Sequence, residues 1–218
     1  MKKSKFQKNF NAICIMMFFL LIMLFMNGKN VQAASSKKAY KAYYNWLVKD
    51  VPSKYKAFCL VKLDGDNTME LVGHYKRKEY WDSRIKDYNI SEDCYIICSY
   101  NGKDVVVEEF GEGKVNRCYS ELSYIPNKGK IRKSTFPSGA GVSWDEIVTL
   151  KKGKFKETAS GTINCSGNYS EWDYIWNNKS VTEKKYKKLL KKAFDNSKAK
   201  SFSDLKFISK KKMKKKLK

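Results

Sequence analysis

One pattern constrains this chain more than any other. Between residues 57 and 178, short apolar runs alternate with tight-turn signals, and no helical stretch intervenes. Phe58–Leu63 and Glu70–Tyr75 flank Asp64-Gly65-Asp66-Asn67. Cys94–Tyr100 and Val105–Phe110 flank Asn101-Gly102, and Ile147–Leu150 and Phe155–Ala159 flank Lys152-Gly153. Weaker runs surround Asn127-Lys128-Gly129, and Tyr174–Trp176 leads into Asn177-Asn178. Such dipeptides supply the positive φ angles that short hairpin loops require. Strands joined by tight turns are antiparallel neighbours, so the pattern predicts an antiparallel meander of about six to nine strands, possible also as a barrel.

Two amphipathic helices bracket the meander. Tyr40, Tyr43, Tyr44, Leu47 and Val48 recur at i, i+3, i+4, i+7 and i+8, the spacing of one buried helical face, and Pro52 ends the run. Thr182 is placed as an N-cap, and Tyr186, Leu189, Leu190, Ala193 and Phe194 repeat the spacing behind it. Val181 and Tyr186 are positioned as a hydrophobic staple. The expected fold class is α+β, a single domain over residues 34–197 with an N-terminal and a C-terminal helix.

The flanks read differently. Lys2, Lys3, Lys5 and Lys8 precede an unbroken apolar run from Ala12 to Met26, and Val31-Gln32-Ala33 supplies the small residues of a cleavage site. About 15 apolar residues give roughly 22 Å of helix, short of the roughly 30 Å hydrocarbon core. Residues 1–33 are therefore expected to be a signal peptide cleaved near Ala33. The product is expected to be secreted or surface-associated, with no transmembrane span left. Residues 198–218 carry ten lysines and one aspartate, a density expected to give a mobile lysine-rich tail.

Charge narrows the function classes. The chain has 45 Lys and Arg against 22 Asp and Glu, a net +23, and about +18 once the leader's five lysines are removed. Its arginines are only Arg77, Arg84, Arg117 and Arg132. Lysine is a hydrated point charge, whereas arginine is the side chain of bidentate base recognition. Sequence-specific nucleic-acid binding is thus not expected. Diffuse attraction to anionic wall polymers or glycans is, carried collectively by Lys210, Lys211, Lys212, Lys214, Lys215, Lys216 and Lys218. Five cysteines follow the leader, an odd number that complete pairing within one chain cannot use. Cys94 and Cys98 lie about 13 Å apart on one extended strand and cannot bridge each other. At most two disulfides, or buried free thiols, are expected.

The sharpest motif runs from Lys62 to Leu71. Asp64, Asp66 and Glu70 place carboxylates at alternate positions around a tight turn, as calcium loops do, and Thr68 adds a carbonyl. Residues 58–72 resemble the F-x-L-x-D-x-(N/D)-G-D-G-x-x-E-L segment of a group of small exported proteins from clostridia-like Gram-positive bacteria. That segment is itself similar to the calcium loops of FG-GAP and dockerin repeats. The resemblance extends loosely over the later chain through a tyrosine-rich helix, Asn-Gly-Lys hairpins and a final V-x-x-x-x-Y-x-x-x-L helix. It implies a degenerate calcium-stabilised module. Two departures weaken the metal implication: Lys62 stands at the first ligand position, and Asn67 replaces a glycine. A structural turn is the preferred reading, and no other cofactor is expected.

Signals for catalysis are sparse. His74 is the only histidine, and no nucleophile or zinc motif surrounds it, so it is read as structural. Asp145, Glu146, Glu171 and Asp173 lie beside tryptophans, which leaves a wall-active glycan hydrolase with an acidic pair as the alternative. The leading expectation is a non-enzymatic exported protein of the cell envelope.

Overall fold

The computed structural model describes residues 36–79, 90–115, 118–137, 141–166 and 171–218. The expected leader, its cleavage site and the side chain of Glu171 lie outside the described residues. Residues 39–218 form one compact unit. A helix, α1, covers residues 36–49. The strands follow: β1 Ala57–Val61, β2 Glu70–Glu79, β3 Ile90–Tyr100, β4 Val105–Val115, β5 Cys118–Ile125, β6 Lys130–Pro137, β7 Val142–Lys151, β8 Lys154–Ser166, β9 Glu171–Trp176 and β10 Lys179–Val181. After helix α2 (Glu183–Ala193) come two-residue strands β11 (Lys200–Ser201) and β12 (Ile208–Ser209), then helix α3 (Lys210–Lys216).

The predicted α+β class and antiparallel meander are present, with twelve strands; β10, β11 and β12 contribute only two or three residues each. Sequential strands pair from β1 to β10, β12 is added outside β1, and β11 pairs with β5. The sheet is open, its path ending at β10 and β12. Turn chemistry sets the hairpins. Lys152 and Gly153 sit at φ 51° and 67°, Asn177 and Asn178 at 47° and 62°, so both central residues adopt the left-handed region that matches strand twist. Asn101 Oδ1 accepts the Lys103 and Asp104 N–H groups and closes the turn at Gly102.

The meander does not stay flat. β4 and β5 pair only where residues 113–115 face 118–120, and then they fork. Beyond the fork the halves fold over a shared apolar cluster. Cys59, Val61, Val72, Tyr95 and Ile97 come from the first half; Leu122, Tyr124, Ile131 and Leu150 come from the second. At the far end the β5–β6 turn meets the β1–β2 loop, the Gly129 N–H donating to the Leu63 carbonyl at 2.8 Å. Gly129 has φ +62°, and a Cβ there would strike the Leu150 carbonyl.

Both faces of β3 are covered over residues 94–99, which explains its continuous apolar run. Ile96 and Cys98 point to a cluster under α1 and α3 with Tyr43, Leu47, Phe58 and Met213, while Tyr95 and Ile97 point into the fold-over. α1 packs on a face rotated from the predicted one. Ala39, Tyr43, Trp46 and Leu47 are buried, Tyr40 and Tyr44 are half-buried, and Val48 is 48% exposed. α2 behaves as predicted: Thr182 Oγ1 accepts the Lys185 N–H, and Tyr186 and Phe194 join Ile147, Ala159 and Trp176 in a third cluster. All five described cysteines are free, and Cys59, Cys94 and Cys98 are buried. Among the described residues, no helix is long and apolar enough to cross a membrane.

Candidate functional site

The lysine-rich segment is not a mobile tail. Ser209 caps α3 with its Oγ toward the Lys212 N–H, and the Lys210 N–H donates to the Lys56 carbonyl at 2.9 Å. Seven residues with six lysines would not hold as an isolated helix. Met213 and Leu217, four apart, supply the missing anchor, since both are buried in the α1 cluster. β12 fixes the entry by pairing Ile208 and Ser209 with Phe58 and Ala57.

Burying one stripe of α3 aims the rest outward. Lys210, Lys211, Lys214, Lys215 and Lys218 line a groove of about 450 Å³ against Tyr44 of α1. Lys218 Nζ lies 5.7 Å from the Tyr44 ring centroid, a cation–π contact. Among the described residues, no carboxylate pairs with any of the seven lysines from 210 to 218. Packing of like charge is felt at Lys210, whose pKa is lowered by burial and by the Lys214 ammonium. Of the seven predicted contact residues, five meet in the groove. Lys212 and Lys216 are exposed elsewhere on the helix. Tyr44 was missed because its helical spacing assigned it to the core.

The loop carboxylates come together as their spacing predicts. Ligand oxygens of Asp64, Asp66 and Glu70 lie within 4.8 Å of one another. The loop also has internal partners for them. Asp64 Oδ1 accepts the Asp66 N–H at 2.9 Å, Asp66 Oδ1 accepts the Thr68 N–H at 2.6 Å, and Glu70 Oε2 accepts the Leu63 N–H at 2.9 Å. Glu70 is fully buried. Burial pushes its pKa up to about 8; the Leu63 N–H opposes this, and the Asp64 and Asp66 charges add to it. Burial also raises Asp64. Three carboxylates at this spacing fit a hard divalent cation, which takes oxygen ligands, although six to eight oxygens would be needed in total. Lys62 is exposed and takes no part in the cluster.

The acids beside tryptophan do not form a catalytic pair. Asp145 is buried and fully engaged: it accepts from Arg132 Nε at 2.8 Å, from the Ser134 hydroxyl, and from Tyr186 O–H at 2.9 Å. It locks α2 onto the sheet. Glu146 follows it on β7 and so faces the opposite side. Asp173 is exposed on β9. His74 is structural in its contacts, with Nε2 2.8 Å from Asp93 Oδ1 and its ring clustered with those of Tyr95 and Phe207, all three tilted against one another.

No protein family model matches the chain, and no curated protein or solved structure matches it. Function therefore has to be read from this geometry.

Proposed function

We propose that this is a non-enzymatic exported protein of a Gram-positive envelope that adheres to anionic wall polymers through the α1–α3 groove. The observation that carries the reading is the convergence of five lysines on one groove without a carboxylate partner. Cations left unpaired in this way raise the local concentration of polyanions and bind them with strong salt dependence. A leader of the expected kind and the resemblance of residues 58–72 to exported clostridial-type proteins support the same placement.

Deleting residues 210–218 would be a poor test, because it would also remove Met213 and Leu217 from the core. The better variant is Lys211→Gln/Lys215→Gln/Lys218→Gln, which leaves both anchors in place. Sedimentation with isolated Gram-positive walls across a salt series is expected to show binding that falls with salt and is weakened in the triple variant. Equal binding by both proteins at every salt concentration would sink the proposal.

A second reading is favoured by the proximity of the Asp64, Asp66 and Glu70 carboxylates. In it, calcium stabilises the β1–β2 loop, and a rise in melting temperature on adding calcium is the expected sign.

A further inference from the structure

The fold-over stacks the chain in four layers. On β3, Tyr95 and Ile97 face the shared cluster, while Ile96 and Cys98 face α1 and α3. On β7, Val148 and Leu150 face the same shared cluster, and Ile147, on the other side of that strand, lies in the cluster under α2. β5 agrees, with Leu122 and Tyr124 turned inward and Ile125 turned toward α2. The order is therefore α1 with α3, one half of the sheet, the shared cluster, the other half, then α2. Helices α3 and α2 lie on opposite outer faces.

Both helices are basic. α2 carries six lysines against one acid, Glu183, which pairs with Lys187. Seating Tyr186 in the cluster below turns Lys184, Lys188 and Lys191 outward as one exposed stripe, spaced four and three residues apart. Among the described residues, no carboxylate pairs with these three. Helix stability does not call for them. Lys184 stands in the first turn, where the helix dipole favours anions, and Lys184 and Lys188 are like charges four apart, which destabilise a free helix. An anionic strand lying along the stripe relieves both penalties.

Distance keeps the two faces independent. Stacked sheets lie about 10 Å apart and a helix with its side chains is about 10 Å across, so the lysine faces are at least about 30 Å apart. The Debye length at physiological ionic strength is about 8 Å, so neither face feels the charge held at the other. We propose that the chain is a bivalent cross-linker of polyanionic wall strands, one strand seated in the α3 groove and a second along Lys184, Lys188 and Lys191 of α2. The α3 seat rests on the function proposed above, whereas the α2 seat stands on its own residues.

The test uses beads coated with poly(glycerol phosphate), reading protein bound to the beads and aggregation of the beads separately. The parent is expected to bind and to aggregate the beads, with aggregation falling again at excess protein as each bead saturates. Lys184→Gln/Lys188→Gln/Lys191→Gln keeps Thr182, Tyr186 and Phe194, and glutamine matches lysine in helix propensity, so melting no lower than the parent's is expected. This variant is expected to bind through α3 yet to need about tenfold or more protein to aggregate the beads. The α3 triple glutamine variant is expected to do the same through α2. A control of equal charge loss, Lys103→Gln/Lys128→Gln/Lys151→Gln, is expected to aggregate beads as the parent does. Binding by the parent without aggregation, undiminished aggregation by the α2 variant, or equal loss in the control would overturn bridging and leave the α3 groove standing. Loss of all binding in the α2 variant, or no binding by the parent, would overturn both.

Discussion

Replacing Glu70 with glutamine tests the electrostatics of the buried carboxylate cluster in the β1–β2 loop. Glu70 is fully buried, within 4.8 Å of two other carboxylates, and holds its proton up to about pH 8, against 4.5 for an ordinary glutamate. Between those values the folded chain keeps a proton that the unfolded chain has released. Stability is therefore whole below about pH 4.5 and falls as pH rises through about 8. At 1.36 kcal/mol per pH unit, the loss has a ceiling of about 5 kcal/mol. Glutamine keeps an oxygen for the Leu63 N–H and carries no charge. The variant is expected to match the parent near about pH 5 and to exceed it by several kcal/mol near about pH 9. Urea unfolding midpoints of both proteins, measured in chelator across that range, give the comparison. Calcium added at the alkaline end should then raise the parent and leave the variant unmoved. Parent stability that stays level or rises with pH, or a variant weaker than the parent at the alkaline end, would refute the reasoning.

Two further substitutions probe the supports described above. Met213→Ala removes the buried anchor of α3 and should cost about 2–5 kcal/mol in urea unfolding, whereas Met213→Leu should cost under about 1.5 kcal/mol; similar losses for both would mean that α3 is not held by packing. Asp145→Ala leaves the Arg132 guanidinium, the Ser134 hydroxyl and the Tyr186 hydroxyl without their acceptor, an expected cost of about 3–5 kcal/mol. A loss below about 1 kcal/mol would show that the network does not fasten α2.

The features legible in the sequence were local ones. Asn101-Gly102, Lys152-Gly153 and Asn177-Asn178 disclose hairpins because their φ angles are set within two residues, and the sheet follows from them. The Asp64, Asp66 and Glu70 cluster is visible for the same reason, since one turn brings all three together. Helix faces were less certain. Residues 39–48 hold so many apolar side chains that the spacing fits two neighbouring stripes, and the choice between them is made by long-range packing in the cluster that holds Ala39, Tyr43, Trp46 and Leu47 with Phe58 and Leu71. The lysine-rich segment misled because its charge masks Met213 and Leu217, whose four-residue separation is the helical signal. The opposition of α2 to α3 was beyond local reading, because only the divergence of β4 from β5 folds one half of the sheet over the other and puts the two helices on opposite outer faces.

Residues 199–217 run across the molecule like a lacing. Ala199 packs on the cluster under α2, Phe202, Leu205 and Phe207 enter the fold-over, and Ile208, Met213 and Leu217 close the cluster under α1. No cluster can open widely without pulling on this one segment, and releasing the segment exposes parts of all three. Modules that would otherwise fluctuate separately are thereby joined into one cooperative unit. Slow amide exchange should accordingly report a single large opening shared by β3, β6 and α2, in place of three independent ones.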